Sequence, residues 1–154
     1  FVALGSNLED PARQVESGFL ELSGLPDTRL IARSSLYRSA PVDAPGQPDY
    51  INAVAGIETR LAPAQLLEAM LGVERRRGRI REYHNAPRTL DLDLLLYENL
   101  ACHEHGLTLP HPRMHERAFV LLPLQEIAPD CRIPGLGPLS EWVRRCTGQA
   151  IEKA

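Results

Sequence analysis

The sequence is short of several residue types, and each shortage excludes a class of protein. Phe, Trp and Tyr make up 5% of its 154 residues, which is few for a domain that stacks nucleic-acid bases on its strands. Lysine occurs once, at Lys153, so a P-loop, which needs Gly-Lys-Ser/Thr, and a Schiff-base enzyme are both excluded. No apolar run approaches the ~18 residues of a membrane span.

Cysteine is also scarce. Cys102, Cys131 and Cys146 are odd in number and widely spaced, and no Cys-x-x-Cys occurs. A disulfide framework or structural zinc site is therefore not expected, and a reducing, cytoplasmic location fits best. The N-terminus has no basic region followed by an apolar one, so a signal peptide is not expected. Because the chain starts at Phe1 inside what reads as a strand, we expect a few native residues to precede it.

The remaining composition is ordinary, with 44% hydrophobic and 24% charged residues, and the length predicts one domain over 1–154. The net charge of −3 argues against a general nucleic-acid binder. Six arginines fall between Arg75 and Arg88, and a dense guanidinium cluster in an acidic protein indicates a specific anion. The alternative is a solvated charged face, and for Arg75, Arg76 and Arg77 a helix end favoured by the helix dipole.

Hydrophobic periodicity and turn residues predict the order of the elements. Strands are expected at 1–4, 30–38, 50–59 and 90–97, and helices at 10–24, 63–78, 114–127 with an interruption at Pro123, and 139–146. The leading order, β-α-β-β-α-β, predicts an α+β fold with a ferredoxin-like core, an antiparallel sheet and additional C-terminal helices. Two long loops, 39–49 and 78–89, are expected to be functional.

The most informative segment is the strand that contains Asp91 and Asp93. Side chains alternate along a strand, so Leu90, Leu92, Leu94 and Leu96 are expected to share the core face. The two carboxylates then lie on the other face, with Cα atoms ~7 Å apart. Such a pair repels unless cations lie between its members, and hard oxygen ligands select Mg²⁺. The alternative is a polar, solvent-facing strand surface, since short motifs match by chance.

Arginines near this strand favour a polyphosphate ligand. Arg88 precedes the strand by two residues, and Arg79 and Arg81 lie across the same loop. Metal carboxylates with arginines are the parts that phosphoryl transfer requires. His111 and His115 form a zinc pair only as a remote alternative, because Pro112 breaks the helix such pairs need. Contact with phosphate is the better interpretation for His111, and also for Arg117.

Two aromatic side chains and one amide could bind a flat heterocycle. Tyr50 and Phe119 are candidates for stacking on such a ring, and Asn52 could read its amide edge. For Phe119 the alternative is plain core packing.

Residues 84–95, His-Asn-Ala-Pro-Arg-Thr-Leu-Asp-Leu-Asp-Leu-Leu, resemble the signature of the 6-hydroxymethyl-7,8-dihydropterin pyrophosphokinase family. Further similar motifs occur in order along nearly the whole chain, at 3–8, 34–38, 47–53, 107–112 and 117–119. The chain differs from well-known bacterial members at Asn85 and Ala86, where those often carry tryptophan and glycine. It also differs at Leu71 and Pro112.

The resemblance implies a cytoplasmic folate-biosynthesis enzyme that transfers pyrophosphate from ATP to the hydroxymethyl group of the dihydropterin, leaving AMP. It implies a monomer with no nucleic-acid or membrane partner, and two Mg²⁺ ions bound by Asp91 and Asp93. It also assigns the remaining roles. The catalytic arginines are Arg79 and Arg88, assisted by Arg81; the pterin residues are Tyr50, Asn52, Phe119, Ser39, Ala40 and Val42; the ATP residues are Glu74, Thr108, His111 and Arg117.

Two other functions are compatible with the sequence. An RNA-binding β-α-β-β-α-β module would need aromatic central strands and a basic sheet face, and the fourth strand offers two aspartates instead. A Mg²⁺-dependent phosphohydrolase would share the metal site, but its ATP turnover would not depend on a pterin.

Overall fold

A computed structural model describes residues 1–41, 46–77, 89–104 and 106–154 of the chain. Within these ranges it contains ten strands and four α-helices, with a 3-10 turn at Met114–Glu116. The strands are β1 Val2–Ser6, β2 Thr28–Arg33, β3 Tyr37–Ser39, β4 Tyr50–Thr59, β5 Asp91–Leu94, β6 Cys102–Glu104, β7 Leu107–Leu109, β8 Arg132–Ile133, β9 Gly137–Pro138 and β10 Ile151–Lys153. The helices are α1 Pro11–Ser23, α2 Pro63–Arg76, α3 Ala118–Ile127 and α4 Leu139–Arg145.

The main sheet has six strands and is antiparallel throughout. Its order is β10-β3-β4-β1-β5, and β2 pairs with the later half of β4. The long central strand β4 therefore pairs with β1 on one side and with β3 and β2 on the other. Strand β5 lies at one edge, next to β1. The α+β class, the antiparallel sheet and the C-terminal helices are confirmed.

One face of the sheet packs on α1 and α2. The apolar side chains of α1 recur at helical spacing, and Val15, Phe19 and Leu22 are buried. They join a cluster with Leu4 of β1 and Leu92 of β5, among others. A fully buried leucine or phenylalanine contributes about 1.5–3 kcal/mol, so this face fixes which side of β5 points inward.

Close approach of α1 to the sheet depends on Gly18. A Cβ atom there would lie 2.8 Å from a methyl group of Leu4 and 3.2 Å from one of Leu90. A larger residue at this position would require the Leu4 and Leu90 side chains, or the helix itself, to shift.

The other face of the sheet is covered by α3 and α4. Ala3 and Val54 of the central strands pack with Leu121 and Leu124 of α3 in a second buried cluster. The apolar sequence of α3 fits its packing here, with Ala118, Val120, Leu121 and Leu124 buried, and Pro123 lies inside the helix without ending it. This cover leaves little of the sheet face for stacking nucleic-acid bases.

Several details differ from the sequence-based expectations. The helix begins after Asp10 as expected, but Asp10 has φ 61° and its side chain makes no capping hydrogen bond. The expected second strand, 30–38, is divided into β2 and β3. Leu96 packs in the second cluster and not with Leu92 and Leu94, because β5 ends at Leu94 and the alternation ends with it.

Other elements had no counterpart in the sequence pattern. Strands β6 and β7 form a hairpin, β8 and β9 form another, and β10 extends the main sheet. The expected helix at 114–127 is a 3-10 turn followed by α3. Among the described ranges, no helix has both the length and the apolar character that crossing a membrane requires.

Candidate active site

Strand β5 carries the two carboxylates as predicted. Its burial alternates, with Asp91 and Asp93 half-buried and Leu92 and Leu94 buried. The register places Asp91 opposite Gly5 and Asp93 opposite Ala3 of β1. Both aspartates therefore lie on the sheet face opposite α1 and α2. At this spacing their carboxylate oxygens could be ligands of the same cations.

Glu74 anchors this strand from α2. Its side chain is 1% exposed, and its Oε2 accepts a hydrogen bond of 2.8 Å from the backbone N–H of Leu92, the residue between the two aspartates. A buried carboxylate that accepts a backbone hydrogen bond holds the position of the strand firmly. Glu74 was predicted to line the ATP site; its observed contact supports β5.

His111 approaches the carboxylates from the opposite side. Its Nε2 lies 4.0 Å from Oδ1 of Asp93, and the backbone N–H of His111 donates to the Leu95 carbonyl at 2.9 Å. Burial, and then the charges of Arg117 and Arg113, lower the pKa of His111 to about 4. The imidazole is therefore neutral near pH 7, and its contact with Asp93 is polar rather than ionic.

The tautomer of His111 follows from its other nitrogen. Nδ1 accepts a hydrogen bond of 3.2 Å from the backbone N–H of Arg113. In a neutral imidazole the proton then lies on Nε2, so His111 presents an N–H donor toward the side of Asp93, where it can also bind an anionic oxygen.

A row of residues crosses the sheet from Asp91. The register aligns Asp91 with Gly5, Gly5 with Asn52, and Asn52 with Tyr37. Residues opposite each other in an antiparallel pair share a face, and neighbouring strands lie about 4.8 Å apart. Asn52 is therefore about 10 Å from Asp91 at Cα, two strand spacings away on the same face.

Gly5 leaves the space that Asn52 needs. A Cβ atom on Gly5 would lie 3.1 Å from Oδ1 of Asn52, which is tight for a fixed buried amide. Asn52 is 5% exposed, and its Nδ2 donates to Oγ of Ser39 at 2.8 Å. The amide oxygen is thus turned toward β1, and Tyr50, opposite Ser39, is half-buried beside it.

A cavity of about 310 Å³ brings together residues from the two predicted ligand groups. Ser39 and Ala40, predicted to contact the pterin, form one wall, and Arg117 and Phe119 form another. The Arg117 guanidinium carbon lies 5.6 Å from the centre of the Phe119 ring. Residues 149–151 complete the lining, and no sequence motif pointed to them.

Thr108 lies on the β6–β7 hairpin, in β7. Its hydroxyl is 2.8 Å from Nδ1 of His103 on β6, so the hairpin pairing holds it in place. Nothing in the structure places its hydroxyl at the 310 Å³ cavity, and its role at the ATP site stays a prediction.

The residues that flank 78–88 are tied together. The Thr89 hydroxyl donates to the Arg77 carbonyl at 2.6 Å, and the Ser6 hydroxyl donates to the Thr89 carbonyl at 2.5 Å. The start of the aspartate strand is thereby fixed to the end of α2 and the end of β1. The predicted residues Val42, Arg79, Arg81 and Arg88 lie outside the described residues, so their roles stay predictions.

The donor set fits a weakly held, hard cation. Across the described ranges, no group of three or more His, Cys, Asp or Glu side chains is placed to bind a metal ion. Two carboxylates suit Mg²⁺, which keeps several waters and takes phosphate oxygens from its substrate. The zinc alternative has no support here, because His111 faces Asp93 while His115 packs edge-on against Trp142 at 5.0 Å.

The three cysteines are free thiols, as expected. Sequence reasoning did not identify Gly5 or Gln149 as residues that shape the site. A glycine inside a buried strand does signal close approach of another group, and that signal was available for Gly5. Gln149 offered none, because its partners are far away in sequence.

Two carboxylates and a buried amide on one sheet face, in a chain that also has a cavity lined by a guanidinium and an aromatic ring, are typical of an enzyme that binds a metal–polyphosphate together with a flat acceptor. A family model described as 7,8-dihydro-6-hydroxymethylpterin-pyrophosphokinase matches residues 1–129. The chain belongs to this family.

Curated relatives carry the corresponding name. A Pseudomonas aeruginosa 2-amino-4-hydroxy-6-hydroxymethyldihydropteridine pyrophosphokinase is 43% identical over 153 residues, which are 99% of this chain and 94% of the relative. The Haemophilus influenzae protein of that name is 44% identical over 145 residues, 94% of this chain and 91% of the relative. A Schizosaccharomyces pombe folic acid synthesis protein is 36% identical over 152 residues, but this chain spans only 21% of it.

Solved structures show the same fold. Plasmodium falciparum HPPK-DHPS in a crystal structure with pteroate matches with a TM-score of 0.73 at 13% identity, over 94% of this chain and 41% of that chain. The crystal structure of that protein with SDX-DHP gives a TM-score of 0.72 at 12% identity, over 94% of this chain and 43% of that chain. This chain thus spans less than half of those proteins.

Proposed function

We infer that the chain is an ATP-dependent diphosphotransferase of folate biosynthesis. It transfers pyrophosphate from ATP to 6-hydroxymethyl-7,8-dihydropterin and leaves AMP, the reaction for which its family is named. The observation that supports this most strongly is the cross-strand row, in which Asp91 and Asn52 lie on one face of the sheet about 10 Å apart. A phosphate site and a ring site at that spacing suit an acceptor that presents its hydroxyl to ATP.

Asp91 and Asp93 are proposed to hold two Mg²⁺ ions together with the nucleotide phosphates. Their half-buried carboxylates on an edge strand supply the oxygen ligands that this cation prefers. When bound, the ions neutralise phosphate oxygens and align the attacking and leaving groups. Glu74 supports the two aspartates by fixing the peptide N–H of Leu92, the residue between them.

The ring side is proposed to hold the pterin. Asn52 offers an amide to the polar edge of the ring, because its Nδ2 is fixed on Ser39 and its side chain is buried. Tyr50 and Phe119 are proposed to stack on the ring. Ala40, next to Ser39, and Val42, which lies outside the described residues, are proposed to supply backbone contacts.

The nucleotide side is proposed to involve His111, Arg117, Thr108 and Glu74. His111 presents a neutral N–H donor near Asp93, and the Arg117 guanidinium lines the cavity. Arg79 and Arg88, assisted by Arg81, are proposed to stabilise charge that develops on the transferring group. We further propose one domain over 1–154 that works as a monomer in the cytoplasm, without a nucleic-acid partner.

The test is to incubate the protein with ATP, Mg²⁺ and 6-hydroxymethyl-7,8-dihydropterin and to identify the nucleotide product. AMP that forms only when the acceptor is present supports the proposal. ADP would indicate an ordinary kinase, and ATP turnover without the acceptor would indicate a phosphohydrolase; either result would overturn it.

A further inference from the structure

Gln149 binds the backbone on both sides of Arg117. Its Oε1 accepts a hydrogen bond of 2.9 Å from the N–H of Ala118. Its Nε2 donates one of 2.8 Å to the carbonyl of Glu116. One side-chain amide thus pairs with the peptide groups before and after a residue that lines the 310 Å³ cavity.

These two bonds complete the fixation of Arg117. The Arg117 N–H donates to the Met114 carbonyl at 3.3 Å, and its carbonyl accepts from Val120 and Leu121 at 3.0 Å each. The first N–H groups of a helix have no partner within the helix. Arg117, at the N-cap of α3, makes no side-chain capping bond, so the amide oxygen of Gln149 takes that place for Ala118.

The chain segments before and after Gln149 fix its position. Before it, the chain turns at Gly148 with φ +90° after the end of α4. After it, β10 pairs with β3, with Ile151 opposite Ser39. The segment therefore joins the Ser39 wall of the cavity to the Arg117 wall, and it lies beyond residues 1–129 that the family model matches.

We propose that Gln149 is a positioning residue for the reaction. Its amide sets the direction of the Arg117 guanidinium and the Phe119 ring by holding the turn from which both side chains start. This inference rests on the proposed function, since it needs Arg117 and Phe119 to contact the substrates.

A comparison of two glutamine variants tests the proposal. Gln65 is exposed, as is Gln149. Gln65 caps a different helix, because its Oε1 accepts from the Ala62 N–H at 2.9 Å at the start of α2. Each of Gln149→Ala and Gln65→Ala thus removes a helix-capping side chain, but only the first lies at the cavity. We expect Gln149→Ala to lower kcat/KM for ATP about tenfold, mainly through KM, while Gln65→Ala leaves it unchanged. Equal kinetics for the two variants would overturn the proposal.

A third variant separates positioning from simple loss of the side chain. In Gln149→Glu an ionised carboxylate still accepts from Ala118 but faces the Glu116 carbonyl without a proton to donate, whereas the neutral acid can make both bonds. We expect the ATP dissociation constant of this variant, relative to wild type, to fall toward one as the pH is lowered from about 7 to about 4, through the ordinary glutamate pKa of about 4.3. A ratio that does not change with pH would contradict the assignment.

Amide hydrogen exchange gives a readout that needs no activity. We expect Gln149→Ala to raise the exchange rate of the Ala118 amide about tenfold, and Gln65→Ala to leave it unchanged. If wild-type protein forms no AMP, the proposed function fails, and Gln149 is then judged on this exchange alone. Unchanged exchange at Ala118 in Gln149→Ala would overturn the inference even in an active enzyme.

Discussion

The two sides of the candidate site are built in different ways. On the metal side, Asp91 and Asp93 belong to one strand, and the ladder between β1 and β5 fixes both at once. On the ring side, Ser39 belongs to β3, Phe119 to α3 and Gln149 to the segment before β10, and these separate elements meet at the cavity. The first arrangement depends on sheet register, and the second on contacts between distant segments.

The bonds that hold each side reflect this difference. Glu74 reaches the metal strand from the packed helix α2. The ring side is held by side chains that link separate segments. Asn52 joins β4 to Ser39 of β3, Glu126 joins α3 to Tyr37 of β3 and to Ser35 before it, and Gln149 joins the C-terminal segment to Glu116 and Ala118. Changes on the metal side should therefore be severe, and changes on the ring side graded.

The largest effect is expected from the aspartates. Asp91→Asn and Asp93→Asn should each lower kcat by about 100-fold or more, because each removes an anionic ligand of the Mg²⁺ ions that are proposed to neutralise the transferring group. Without Mg²⁺ the variants should be at least as stable as wild type, since a like-charge repulsion is removed. Steady-state kinetics and thermal melts with and without Mg²⁺–nucleotide measure both effects.

Asp130→Asn is the matched control for this comparison. Asp130 is exposed in the turn after α3, so its variant should keep the activity of wild type. If all three variants and wild type gained equal stability from Mg²⁺–nucleotide, the metal assignment would be wrong.

Variants of Glu74 should show how far strand β5, on the metal side, depends on the hydrogen bond from α2. Glu74→Leu leaves the Leu92 N–H without this partner, and we expect the free energy of unfolding to fall by about 1–3 kcal/mol. Glu74→Gln keeps an oxygen that can accept the bond and should lose less. Urea unfolding of the two variants measures the difference; equal losses would show that the Leu92 bond does not matter.

The metal side could be predicted from sequence because its information is local. Alternating leucine and aspartate over 90–94 sets both the strand and its two faces, and the structure gives β5 at Asp91–Leu94. The strand β4 was predicted with its observed bounds for the same reason.

The ring side could be predicted only in part. Asn52 could be predicted as a candidate ring contact because β4 alternates, but its bond to Ser39 could not, since that needs the register between β3 and β4. The strand β10 is three residues of mixed character, and such a segment forms a strand only because β3 offers it an open edge. Gln149 and Glu126 were missed because their partners are 31 and about 90 residues away.

Asn52→Ala should give an intermediate effect that is confined to one ligand. We expect pterin affinity to fall about tenfold and ATP affinity much less, because a buried polar edge loses its partner only on the ring side. Asn99→Ala, in an exposed turn, is the control and should change neither. Calorimetric titration of each ligand alone measures this, and equal losses for both ligands would indicate general unfolding instead.

Glu126 ties α3 to β3 by three groups. Its carboxylate accepts from the Tyr37 hydroxyl at 2.6 Å and from the N–H and the hydroxyl of Ser35 at 2.9 Å each. Burial alone raises the pKa of Glu126, but these hydrogen bonds and the charge of Lys153 outweigh it and hold the pKa below its usual value. The ionised form is therefore favoured by the folded state.

The smallest effect is expected from Glu126→Gln, and it should depend on pH. A carboxyl group whose pKa is lowered by folding stabilises the protein above its unfolded value of about 4.3, and that contribution disappears as the pH falls through the folded value. We expect the variant to be about 1 kcal/mol less stable than wild type near neutral pH, because the carboxylate is exposed and its bonds are partly screened by water. The two curves should draw together as the pH falls below about 4.3 and should converge once the pH is below the folded pKa. Glu58→Gln, which breaks an exposed ion pair with Arg29, should cost less at neutral pH; if it cost as much, the link between α3 and β3 would have no special weight in holding the ring side together.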